Sequence, residues 1–231
     1  MTSRVATVFE SLSILGYLAA LGVMVWSLRQ EFVAGADAPP GRLAYLTLGA
    51  LAVTLHSLGV LGPDRTAGPN ISFLSALSLV MLGVNAILLL ASLLRPVDKL
   101  GVITFPLAAI ILLLKHIAPE ATRVVQEHSW PMQLHIVASL LAYSVLNIAA
   151  LQALLLAVQD ACLRRRHPGG LLVRSLPSLQ SMETLMFQLL GAGLVLLTVS
   201  LVTGFVFLEN LFAQHLAHKT ILSLLAWLLF A

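Results

Sequence analysis

Leu134–Gln159 reads LHIVASLLAYSVLNIAALQALLLAVQ, an apolar run long enough to cross a bilayer as one helix. Within it His135, Ser139, Tyr143 and Asn147 recur at every fourth position, which places them on one slowly drifting helical face. A polar stripe on an apolar span is expected to turn away from lipid into a helix bundle, and an ionisable residue on it marks a functional site by default. The rest of the chain is therefore read by asking what meets His135.

The chain has 231 residues, of which 59% are hydrophobic and only 10% charged, with a mean hydropathy of +0.97. That balance excludes a water-soluble domain of this size. Continuous apolar runs indicate an all-α, polytopic transmembrane helical bundle, because a barrel would show short alternating segments. The net charge of +3 is spread over several loops, so it speaks to orientation in the bilayer and not to nucleic acid. Cys162 is the single cysteine. An intramolecular disulfide, a CxxC redox pair and a covalent CxxCH heme attachment are all excluded.

About seven spans are expected, at residues 5–28, 43–62, 70–94, 100–117, 134–159, 185–208 and 220–231. In the first, Glu10, Ser13 and Tyr17 form a second inward stripe. This run is too long for a signal peptide and contains Glu10, although Ala34-Gly35-Ala36 resembles a cleavage site. Residues 29–42 read as a linker. Asn70 is a plausible cap for the third span, Arg95-Pro96 ends it, and Pro106 is a candidate kink in the fourth. Residues 118–131 suit an interfacial helix. Gly191, Gly193 and Gly204 permit close helix contact in the sixth span. The last run is about 18 Å long as a helix, short of the bilayer core, so a truncated seventh span is expected.

Alternating sides assign Arg29, Arg42, Arg95, Lys99, Arg164, Arg165, Arg166 and Arg174 to one face, against Arg4, Arg65, Lys115, Arg123 and Lys219 on the other. The first set belongs in the cytoplasm by the positive-inside rule, with the N-terminus outside. His56, His116, His128, His135, His215 and His218 then gather at the outer face, and only His167 accompanies the arginines. Such a cluster can ligate heme iron or a divalent metal, or relay protons. His128 and His215 read as solvated loop residues and His116 as an interface anchor. His56 and His135 lie inside apolar runs and are the stronger site candidates, with His218 between these groups. Two facing imidazoles suit axial coordination of iron. Glu10 can complete a metal site, support a histidine, or pair with Tyr17 and water. No nucleophile elbow, phosphate loop or HExxH sequence is present.

The stretch from Leu134 to Asp160, followed by LPSLQSMETLMFQLLGAGLVLLTVSLVTGFVF and HKTILSLLAWLLFA, resembles the cytochrome c assembly membrane proteins. These form the CcsA/CcmC/HemX-like heme-handling superfamily, and the sequence looks most like its small YpjD-like inner-membrane branch. The resemblance is strongest over residues 134–231, and the earlier spans match in layout and in the position of His56. It implies one cytochrome c assembly-type domain over residues 1–231. It also implies heme as cofactor, held near the outer face of a bacterial inner membrane by His56 and His135 as axial ligands of the iron, with His218 a further heme-binding candidate. One departure stands out. Gly204–His218 reads GFVFLENLFAQHLAH, with no tryptophan where heme-presenting members carry several, and Phe205, Phe207 and Phe212 are the aromatics left to pack on a porphyrin.

The resulting expectation is a heme-binding integral membrane protein acting as an assembly factor rather than an enzyme. Its partners would be the lipid bilayer and other cytochrome c maturation proteins. The alternative is a non-heme accessory or regulatory subunit of a membrane metal-ion transporter that keeps the scaffold, which the missing tryptophans favour. A third reading uses Glu10 and the histidines as a translocation site, and the lack of a second acidic residue within the spans weighs against it.

Overall fold

α1 (Thr2–Ala34) shows how this sequence folds for lipid. Its buried positions are Glu10, Ser13, Tyr17, Ala20, Met24 and Ser27, three or four apart, with Leu28 beside the last, while Val5, Val8, Leu12, Leu15 and Leu18 are exposed. Large aliphatic side chains outside and small or polar ones inside are the arrangement that hydrocarbon selects, because helices then associate through close packing and hydrogen bonds. The computed structural model describes residues 2–34, 41–61, 72–95, 97–118, 130–165, 170–207 and 217–231.

Seven further helices follow: α2 (Arg42–Leu61), α3 (Phe73–Leu94), α4 (Gly101–Ile117), α5 (Trp130–Arg164), the short α6 (Leu171–Arg174), α7 (Leu179–Phe207) and α8 (Ala217–Phe230). A 3-10 turn over Asp98–Leu100 leads into α4. Among the described residues, six helices are long and apolar enough to cross a membrane, and α8 supplies a shorter apolar helix. The protein is a polytopic all-α membrane bundle, as its composition requires.

Several boundaries differ from the sequence expectation. α1 runs past Leu28 to Ala34, because Glu31 near its end is held by Lys99 across the bundle at 3.2 Å. α5 begins at Trp130 and continues to Arg164, so Trp130 and Pro131 belong to the span rather than to a separate interfacial helix. At about 52 Å it is longer than the hydrocarbon core is thick. α7 starts at Leu179 and α3 at Phe73, with Ser72 in the extended N-cap position. Asn70 and most of 118–131 lie outside the described residues. Arg95 ends α3 in an extended conformation, as the residue before Pro96 should. α4 continues through Pro106.

The two most extensive helix pairings are α5 with α7 and α1 with α2; α4 packs on α1 and α3, and α3 joins this first group to α5. α8 leans on α7, where Trp227 Nε1 donates to Thr198 Oγ1 at 2.8 Å. Gly193 makes the α5–α7 approach possible. A methyl group there would sit 2.6 Å from Leu146 Cδ2 and 2.7 Å from Cγ, whereas Gly191 faces open space and has no such role. Gly193→Ala is expected to destabilise the protein by about 1–3 kcal/mol through overpacking, and Leu146→Ala in the same chain should recover part of the loss. Thermal unfolding in detergent of both variants, with Gly191→Ala as a neutral control, checks this.

Candidate functional site

One end of the bundle gathers the N-terminal part of α1, the C-terminal parts of α2, α4 and α7, and the N-terminal parts of α3 and α5. His56 lies there with no exposed surface. Its Nδ1 meets the Tyr17 hydroxyl at 3.1 Å and its Nε2 the Ser78 hydroxyl at 2.8 Å. The Tyr17 ring stands edge-on to the imidazole, with centroids 6.0 Å apart. Three helices thus fix one ring. A neutral imidazole donates from one nitrogen and accepts at the other, and hydroxyls can serve either role.

His135 has a different environment. Nδ1 lies 2.8 Å from the Ser200 carbonyl oxygen. A carbonyl only accepts, so in the neutral ring the proton sits on Nδ1 and Nε2 carries the lone pair. Thr203 Oγ1 lies 3.4 Å from the same Nδ1, and the Ser139 hydroxyl, which donates to the His135 carbonyl at 2.7 Å, also meets Ser200 Oγ at 2.6 Å. The ring is held by α7 through one nitrogen, in the tautomer a metal-binding histidine needs. His56 and His135 therefore occupy separate hydrogen-bonding sets, His56 with α1 and α3, His135 with α7.

The polar stripe on α5 does not stay turned inward. His135 and Ser139 face α7, but Tyr143 and Asn147 are exposed. Each step of four residues advances about 40° around a helix of 3.6 residues per turn, so by Asn147 the stripe has rotated towards α8. Tyr143 reaches Ser223 there at 3.3 Å, and Asn147 Nδ2 donates back to the Tyr143 carbonyl at 2.9 Å. The buried face of α5 is instead Ala138, Ala142, Val145, Ala149, Gln152, Leu155 and Gln159.

Glu10 is buried as expected from its stripe, and the side chains that meet its carboxylate are Lys115 and His116 rather than Tyr17. Lys115 Nζ approaches Oε1 at 2.5 Å, and His116 Nδ1 lies 3.6 Å from Oε2. Gly59 admits the carboxylate arm, since a Cβ at that position would stand 2.7 Å from Glu10 Cγ. Among the described residues no group of three or more His, Cys, Asp and Glu side chains is placed to hold a metal ion. His128, His167 and His215 lie outside the described residues, as does the side chain of His218 in α8.

Sequence reading missed the opposite end. Asp98, which falls between the third and fourth expected spans, is buried, accepts a hydrogen bond from Tyr45, and lies 3.6 Å from Arg42 Nε. Arg42 also donates to the Ser92 carbonyl at 2.8 Å. Asp98 stands two residues beyond Pro96, and nothing in that local sequence signals a buried turn.

This α-helical membrane bundle, with His56 buried and His135 partly buried at one end, belongs to the cytochrome C assembly protein family, whose model matches residues 43–231. The match includes His56, His135 and His218; the stripe of α1 precedes it. The Escherichia coli K12 protein described as "Inner membrane protein YpjD" is 30% identical over 226 residues, covering 96% of this chain and 83% of that protein. An Azospirillum brasilense protein described as "Uncharacterized 28.8 kDa protein in nifR3-like 5'region" is 28% identical over 218 residues, 91% of this chain and 79% of its own length. No solved structure matches the chain.

Proposed function

We propose that this chain is a heme-binding protein of the cytochrome c assembly type, one domain throughout, that resides in a bacterial inner membrane and holds heme at the end of the bundle where His56 and His135 lie. The observation that carries the reading is His135, whose Nδ1–H is tied to the Ser200 carbonyl at 2.8 Å and whose Nε2 is thereby prepared for iron. Membership of the family supplies the class of cofactor. Heme bound there would supply a redox-active iron whose axial ligands tune its potential. His56 serves as second ligand only if Ser78 yields Nε2 while Tyr17 keeps Nδ1. His218 is a further candidate. The face carrying these histidines is the outer one in this reading, with the N-terminus outside, and the partners are other cytochrome c maturation proteins.

A second reading has its own support. Both nitrogens of His56 are already satisfied by the protein, which suits a scaffold that acts without heme as a subunit of a membrane transporter. The visible spectrum and pyridine-extracted heme of detergent-purified protein separate the two. A Soret band with near-stoichiometric heme, lost in His135→Ala while the helical content is kept, is expected. A colourless, folded wild-type protein expressed with ample heme overturns the heme reading and leaves the accessory subunit.

A further inference from the structure

At the end of the bundle away from the histidines, α3 stops at Leu94 and the turn into α4 begins at Asp98. This is where spans end, at the depth of lipid headgroups. A cavity of about 160 Å³ opens there between that turn, α5 and the start of α7, with Arg95, Lys99, Gln152, Ser181, Met182 and Leu185 among its lining residues. Its chemistry is graded. Arg95 and Lys99 bring positive charge, Ser181 a hydroxyl, and Met182 and Leu185 an apolar wall continuing along α7.

The charge is only partly neutralised by the protein. Lys99 pairs with Glu31 at 3.2 Å and donates to the Ser175 carbonyl, which fixes its ammonium group beside the cavity. Asp98 is taken by Arg42 and Tyr45. Arg95 is exposed, and among the described residues no carboxylate pairs with it. Gln152, almost fully buried, is anchored by Nε2 donating to the Met182 carbonyl at 3.3 Å, so α5 and α7 are tied together at the cavity floor.

We propose that this cavity is a headgroup site for an anionic phospholipid. The phosphodiester would be received by the guanidinium of Arg95, which offers paired donors in a fixed fork, with Lys99 and Ser181 beside it. The glycerol and first acyl carbons would lie along Met182 and Leu185. Basic pockets between membrane helices recognise lipid headgroups by this combination of charge and apolar wall.

The full chain is reconstituted in nanodiscs of phosphatidylcholine alone or with increasing phosphatidylglycerol, and its melting temperature is followed together with the lipid that stays bound in native mass spectrometry. Phosphatidylglycerol should raise the melting temperature of the wild type and remain bound. Arg95→Gln should weaken its apparent affinity roughly tenfold, the loss of about one charge-assisted hydrogen-bonded contact. Ser181→Trp, which fills the cavity and keeps Arg95, should abolish the response. An unchanged response in either variant overturns the proposal, since it would report surface charge and not a site. An equal effect of inorganic phosphate in phosphatidylcholine nanodiscs overturns the assignment to lipid.

Discussion

Lys115→Met is expected to destabilise the bundle by about 3–5 kcal/mol, because it leaves Glu10 as an unpaired buried charge. The Glu10 side chain is 8% exposed and that of Lys115 13%, and they meet at 2.5 Å. His116, at 3.6 Å, is too distant to replace the ammonium by a hydrogen bond. Glu10→Gln in the same chain removes the stranded charge, so Glu10→Gln/Lys115→Met should recover most of the stability. Such recovery would show that the ion pair adds little net stability over a neutral pair. Unfolding in detergent of the two single variants and the double variant supplies the cycle. A fully additive result would mean that the two charges act independently and that the contact contributes nothing.

That pair also shows which part of the site can be read along a chain. The stripe Glu10, Ser13, Tyr17 was visible, because polar residues three and four apart in an apolar run can share only one helical face. Its partners were not. Lys115 and His56 are far from α1 in sequence, and the contacts that select them are set by the α1–α4 and α1–α2 packing.

On α5 the local pattern misled for a physical reason. A spacing of four rotates steadily around the helix, so a stripe that begins against α7 at His135 ends beside α8 at Tyr143 and Asn147. The true packing face is marked by Ala138, Ala142 and Ala149. Alanine is equally acceptable to lipid and to a close helix neighbour, and so carries no sign of which it meets. Helix count, membrane class and the histidine-bearing end were legible because they follow from composition and from position along each span. Asp98 was not, since nothing near Pro96 signals that a connecting turn will be buried.

The second large effect is expected at His56, and it bears on whether this ring is a heme ligand. His56→Ala removes a buried ring and leaves the Tyr17 and Ser78 hydroxyls without their shared partner. Two lost hydrogen bonds and a cavity together amount to about 3–5 kcal/mol, so the variant should melt well below the wild type. Loss of heme from it would therefore be ambiguous, because a loosened bundle sheds a cofactor whether or not the ring touches iron. Ser78→Ala resolves this. It keeps the imidazole, removes the hydroxyl 2.8 Å from Nε2, and should cost only about 1 kcal/mol. If iron takes Nε2, the wild type must first give up its Ser78 contact, so Ser78→Ala should retain its Soret band and bind heme more tightly than the wild type. If the ring is structural, freeing one nitrogen only loosens it, and Ser78→Ala should bind heme no better than the wild type while losing stability. Heme titration of the apo forms of wild type and Ser78→Ala, with the melting temperature of each, reads both quantities from the same samples.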